Sequence, residues 1–85
     1  HDELMQRKVL IDNVNWLGEN RPDEAEFDVK LRSRQNLTAA KVRFLPENLA
    51  EVTLLHDFYG AAPGQGCCFY DGTRVMGGGI IKKVL

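Results

Sequence analysis

The sequence contains few side chains capable of covalent chemistry, and their spacing matches no common catalytic or metal site. Cys67 and Cys68 are adjacent, so on a strand they would point to opposite faces, which disfavours a disulfide between them. Neither belongs to a Cys-x-x-Cys or Cys-x-x-His pattern of the kind that zinc and redox sites use. His56 stands beside Asp57 with no nucleophile nearby in the sequence. We therefore predict no catalytic residue and no metal site, with both cysteines as free, packed strand residues.

Three consecutive glycines at positions 77–79 raise the possibility of a phosphate-binding loop. Such loops lead into a helix, ideally with Gly-Lys-Ser/Thr, whereas here Ile80 and Ile81 continue as a strand and two lysines follow. Glycine weakens a strand unless the strand bends sharply or another backbone comes close. The sequence therefore predicts a structural role for the glycines and no cofactor site.

Positive charge is concentrated in the second quarter of the chain. Residues 25–45 have a net charge of +3, whereas residues 1–24 have a net charge of −3. Lysine and arginine neutralise nucleic-acid phosphates, arginine with a fork suited to bidentate contact, and glutamine can bind a base edge or a sugar hydroxyl. The candidate RNA-contact residues are Lys30, Arg32, Arg34, Gln35, Lys41 and Arg43. The alternative interpretation is an ordinary solvated strand face.

Short strands would position these residues. Residues 8–17 alternate with Val9 and Ile11 on one side, and a phase shift near Asp12 predicts a bulge. The next two strands are predicted to form an antiparallel hairpin with an inward apolar set of Phe27, Val29, Leu31, Ala40, Val42 and Phe44. Its solvent face would bring together the basic side chains of both strands, Lys30, Arg32, Lys41 and Arg43.

The remaining segments are also predicted to be short strands joined by turns. A turn at residues 46–48 precedes a strand containing Val52 and Leu54, and strands 66–71 and 74–84 flank an Asp-Gly turn typical of hairpins. About six strands with turns between them and no long helix indicate an all-β fold. Closing the sheet would remove exposed edges, so we expect a small antiparallel β-barrel.

Length and composition fit one small domain spanning residues 1–85. No apolar run approaches the roughly 18 residues that a membrane span requires. The chain begins with His1 and has no charged-then-apolar leader, so we expect a piece of a longer protein. Unpaired cysteines suggest a reducing compartment, hence the cytoplasm.

Residues 63–81 resemble the C-terminal segment of tRNA-specific 2-thiouridylases. The resemblance rests on Pro-Gly-Gln at 63–65, Cys-Phe-Tyr-Asp-Gly at 68–72 and Val-Met-Gly-Gly-Gly-Ile-Ile at 75–81. Val-Asn-Trp at 14–16 and Lys-Leu-Arg-Ser-Arg-Gln at 30–35 are similar to two other strands of that family. Ser33 stands where the family usually has an aromatic residue, and Ala62 where it usually has threonine.

The resemblance implies a non-catalytic barrel similar to those of translation (elongation) factors, at the C-terminus of a cytoplasmic sulfurtransferase. The parent enzyme would use ATP to adenylate the wobble uridine of tRNA, and a persulfide sulfur would displace the adenylate. Its ATP loop and catalytic cysteines belong to an N-terminal domain, and Cys67 and Cys68 match neither catalytic cysteine. The implied partners are tRNA, that catalytic domain and a sulfur-carrier protein. The alternative is a purely structural or protein-docking barrel that stabilises the catalytic domain without contacting tRNA.

Overall fold

The computed structural model describes residues 8–31, 37–55 and 62–85. These residues form six strands: β1 (Lys8–Trp16), β2 (Glu24–Lys30), β3 (Thr38–Leu45), β4 (Leu49–Leu54), β5 (Gly66–Asp71) and β6 (Arg74–Val84). Across the same ranges there is no helix long and apolar enough to cross a membrane.

The strands close into a barrel in the order β1-β4-β3-β2-β5-β6, with β6 returning to β1. Every pairing is antiparallel. Strands β2, β3 and β4 are consecutive neighbours, and β1 lies beside β4, which is Greek-key connectivity. The predicted all-β class and the closed barrel are confirmed, and closure leaves none of these six strands with an unpaired edge.

The barrel interior holds the alternating apolar residues of all six strands. Large side chains face small ones across the ladders, with Phe27 opposite Ala40 and Phe44 opposite Ala50, which lets the narrow interior fill without overlap. The buried core comprises Val9, Ile11, Val29, Leu31, Ala40, Val42, Phe44, Ala50, Val52, Leu54, Cys67, Phe69 and Ile81. The inward set predicted for β2 and β3 is confirmed, with Phe27 packed against this core as a half-buried member.

An aromatic cluster fills the end of the barrel near Trp16. The Trp16 ring meets Phe27 and Phe44 edge-on at centroid distances of 5.8 and 5.5 Å, a geometry that aromatic quadrupoles favour. Phe69 extends the cluster by stacking on Phe27 at 5.9 Å. The guanidinium of Arg21 lies 4.9 Å from the centroid of Phe44 and covers this end.

The predicted bulge in β1 is confirmed. The β1–β6 register shifts between Asp12 and Asn15, and Asn13 has a φ of 52°, a left-handed conformation that asparagine tolerates. The displaced Val14 amide donates to the carbonyl of Asn48 in the β3–β4 turn at 3.0 Å. The bulge therefore lets Val14 and Trp16 rejoin the inward side, where they pack against the core.

The three glycines of β6 lie where neighbouring backbones leave no room for a side chain. A Cβ on Gly77 would collide with the carbonyl oxygen of Asn15, and one on Gly78 with that of Cys67. A Cβ on Gly79 would lie 2.6 Å from the Asp12 carbonyl oxygen. Of the two structural roles predicted for them, a sharp bend or the close approach of another backbone, the second is observed. The glycines lie inside a strand with no helix after them.

Candidate nucleic-acid interface

Lys41 and Arg43 occupy the outer face of β3, as predicted. Their side chains are 51% and 60% exposed, while their neighbours Ala40, Val42 and Phe44 point into the barrel. The alternation of β3 therefore presents two cations to solvent.

Carboxylates surround both cations, which corrects the prediction of a basic hairpin face. The β2–β3 register sets Glu24 opposite Arg43 and Glu26 opposite Lys41. Lys41 Nζ lies 4.0 Å from Glu24 Oε2, and Arg43 Nη1 lies 4.0 Å from Glu51 Oε1 on β4. Cross-strand pairs of opposite charge form because residues paired across an antiparallel ladder share a face. This surface is a mixed-charge sheet.

Lys30 lies apart from the other two cations. It is at the end of β2 and is paired with Cys68 of β5. Glu26, which faces Lys41, comes four residues earlier in β2. Lys30 is therefore about 13 Å further along the strand than Glu26. Asp28 lies between them on the same face. Among the described residues, Lys30 has no carboxylate within 4.0 Å, in contrast to Lys41 and Arg43.

Three candidate contact residues lie outside the described part of the chain: Arg32, Arg34 and Gln35. They follow Lys30 and Leu31 directly.

Glu24 adds a carboxylate to this face that the net charge of residues 25–45 does not include. Glu24 is the first residue of β2 and pairs with Arg43 across the β2–β3 ladder. A shallow depression of about 200 Å³ nearby is lined in part by Glu26, Asp28 and Asp71. Such a surface repels phosphate, since like charges brought together raise the free energy.

The two cysteines point to opposite faces and are both free, as predicted. Cys67 is buried, and burial raises the pKa of its thiol to about 12, with a smaller contribution from Cys68. The prediction that Cys68 is packed as well is wrong: it is exposed on the outer face, because the residue after an inward-facing one points outward. Cys68 is paired with Lys30 on one side and Gly78 on the other. In the described ranges, no three His, Cys, Asp or Glu side chains are grouped to hold a metal ion.

A second outer surface lies over the glycines of β6. A shallow groove of about 340 Å³ runs between β1 and β5, with Gly78 in its floor. Exposed aliphatic side chains line it: Leu17, Val75 and Ile80. No local sequence pattern indicates this surface, which forms only where β1, β5 and β6 meet.

These features define a small closed β-barrel domain with a mixed-charge outer face and a separate apolar groove. The chain belongs to the aminomethyltransferase beta-barrel domain family, whose model matches residues 6–81. It is 45% identical over 80 residues to the tRNA-specific 2-thiouridylase MnmA of Rhodospirillum centenum. The aligned region covers 94% of this chain and 20% of the relative.

Two further relatives have the same printed name. The tRNA-specific 2-thiouridylase MnmA of Wolbachia sp. subsp. Drosophila simulans is 44% identical over 79 residues, covering 92% of this chain and 21% of the relative. That of Chlorobaculum tepidum is 36% identical over 83 residues, covering 96% of this chain and 23% of the relative. The chain thus spans about a fifth of the length of these curated relatives and corresponds to their C-terminal part. The resemblance seen in the sequence is confirmed.

Proposed function

We propose that this chain is the RNA-holding C-terminal barrel of a tRNA 2-thiouridylase. The observation that carries the proposal is the match over more than nine-tenths of the chain to the C-terminal part of relatives named for that activity. A barrel of this size suits a holding role because its closed sheet fixes surface side chains rigidly while its interior is filled.

The chemistry would belong to the rest of the parent polypeptide. There, ATP would activate the wobble uridine and a persulfide delivered by a sulfur-carrier protein would supply the sulfur, in the cytoplasm. The described residues offer ATP no phosphate loop, because the three glycines lie inside β6. Cys67 is unsuited to sulfur transfer because its raised pKa disfavours the thiolate that such transfer requires.

We place the phosphate contacts at the end of β2 and in the basic stretch that follows it. Lys30 is the described cation closest in sequence to Arg32, Arg34 and Gln35. Among the described residues, no carboxylate lies within 4.0 Å of its ammonium group. Lys41 and Arg43 are weaker candidates because Glu24 and Glu51 partly neutralise them. A cation that contacts phosphate adds to affinity because it releases counterions from the RNA. A cation already paired with a carboxylate adds less affinity in this way.

The test uses the full-length enzyme and its tRNA, with affinity measured over a series of salt concentrations. Replacing Arg32 and Arg34 by alanine should weaken binding and reduce the slope of log affinity against log salt by about 2, near 1 for each lost phosphate contact. The control is the double replacement of Lys41 and Arg43 by alanine, which removes the same formal charge and should change the slope less. An unchanged slope in the Arg32 and Arg34 variant would favour the docking alternative.

A further inference from the structure

The groove over β6 is lined by all three glycines, with Gly78 in the middle of them. Gly78 is paired with Asn15 of β1 on one side and Cys68 of β5 on the other. The backbones approach so closely here that no larger residue fits. A depression of about 340 Å³ lies over this stretch on the outer surface of the barrel.

Aliphatic side chains remain exposed around this depression. Leu17, Val75 and Ile80 are 57%, 41% and 43% exposed, although each could have been a polar residue at no cost to the core. Exposed aliphatic side chains grouped around a concave surface are typical of protein interaction sites. The remaining lining residues include Asn13 and Asn15, whose exposed amides can form hydrogen bonds at the rim.

Among the described residues, no charged side chain lines the groove, so this part of its lining differs in chemistry from the β2–β4 face. The described lining residues offer RNA neither a cation for its phosphates nor an aromatic ring on which to stack a base. Apolar side chains of a polypeptide, with backbone groups near the two asparagines, fit the lining. The barrel also offers no strand edge among its six strands, so a protein partner must dock through side chains.

We propose that this groove docks an apolar segment of the remaining part of the parent polypeptide. The relatives are about four to five times as long as this chain, which spans 20–23% of them. A segment of the same chain has an effective concentration of the order of millimolar, so a small patch suffices to hold it. A separate copy or another protein would need about 800 Å² per partner for a stable complex, more than a groove of this size provides. The inference rests on the family membership and is independent of RNA binding, so the two proposals can fail separately.

Cys68 provides the probe, because its thiol is exposed in the barrel and lines the groove. In the native full-length protein, alkylation of Cys68 would be followed by peptide mass spectrometry. The reference is a variant with Thr73→Cys, at the exposed tip of the β5–β6 hairpin and outside the groove. We expect Cys68 to react at least about tenfold more slowly than the reference, as for a groove occupied nine-tenths of the time.

Matched substitutions test the cause of that protection. Ile80→Lys places a charge on the groove rim opposite Asp12, where the fold accepts a lysine, and it should bring the Cys68 rate up to the reference rate. Leu37→Lys, at a position with the same 43% exposure outside the groove, should leave Cys68 protected. Val75→Lys serves as a second rim variant if Ile80→Lys unfolds the barrel, which would show as alkylation of the buried Cys67.

Three outcomes would overturn the proposal. Cys68 could react as fast as the reference in the wild-type protein, leaving the groove open. Protection that disappears on dilution would mean that a second copy covers the groove. Protection that appears only after tRNA is added would assign the surface to RNA.

Discussion

Arg43 and Glu51 face each other across the β3–β4 ladder, with Nη1 of the arginine 4.0 Å from Oε1 of the glutamate. The same carboxylate oxygen lies 3.8 Å from Lys8 Nζ on β1. The Glu51 carboxylate on β4 thus pairs with cations from both neighbouring strands, β1 and β3. This arrangement shows how the cations of β1 and β3 come to lie on a face that also carries carboxylates.

Removing that shared carboxylate should have a small, salt-dependent effect on stability. The three side chains are partly exposed, so Glu51→Gln is expected to lower the free energy of unfolding by no more than about 1 kcal/mol, the upper range for surface ion pairs. Salt screens such pairs, and the difference from wild type should shrink between low salt and about 1 M salt. Urea denaturation at both salt concentrations would measure this, with Glu47→Gln in the exposed β3–β4 turn as control. A loss that does not respond to salt would mean that Glu51 acts through packing.

Gly78 should be among the least replaceable residues of the barrel. Gly78→Ala places a Cβ against the Cys67 carbonyl, and because the β5 backbone must move we expect a loss of about 3 kcal/mol in the free energy of unfolding. Gly66→Ala in β5 is the matched control, since a Cβ there has no heavy atom within 4 Å. That control should be neutral or slightly stabilising, because alanine restricts the unfolded chain. Equal losses in the two variants would contradict the close-approach explanation.

Cys67 should make the barrel sensitive to alkaline pH. Its pKa is raised from the ordinary 9.0 to about 12 by burial, so the folded state holds the thiol proton more tightly than the unfolded state does. The resulting stabilisation is complete below pH 9 and is lost as the pH rises from 9 towards 12, by about 1.4 kcal/mol for each pH unit. Denaturation curves between pH 8 and 11 should therefore fall more steeply for the wild type than for Cys67→Ala. Parallel curves would show that Cys67 does not control this pH dependence.

Features encoded within one strand or one turn were predictable from the sequence. Alternation in β3 assigned Phe44 inward and Arg43 outward, and the break in alternation near Asp12 located the bulge. The Asp-Gly dipeptide located the β5–β6 turn, where Gly72 has a φ of 65°. These signals are local because side-chain direction on a strand depends only on position along that strand.

Features that depend on pairing between distant segments were not predictable. Whether Glu24 faces Arg43 is determined by the register of the β2–β3 ladder, and the sequence between those strands does not specify it. The shared position of Glu51 requires β1 to lie beside β4, a pairing of strands far apart in the chain. The groove likewise needs β1, β5 and β6 to meet at Gly78. The candidate site differs most from its prediction because its charge balance depends on these long-range pairings.

The pairing pattern leads to a last prediction, that Lys30 contributes more to tRNA affinity than Lys41 does. Both are lysines on outer strand faces of the same hairpin, but Lys41 Nζ has the Glu24 carboxylate at 4.0 Å, whereas Lys30 has no such partner among the described residues. In the full-length enzyme, Lys30→Ala should reduce the slope of log affinity against log salt by about 1, the value for one lost phosphate contact. Lys41→Ala should reduce it by less than half as much. Glu24→Gln should raise affinity slightly at low salt, because it removes a negative charge beside Lys41 and Arg43. Equal slope changes for the two lysine variants would mean that register pairing does not select the cations that RNA uses.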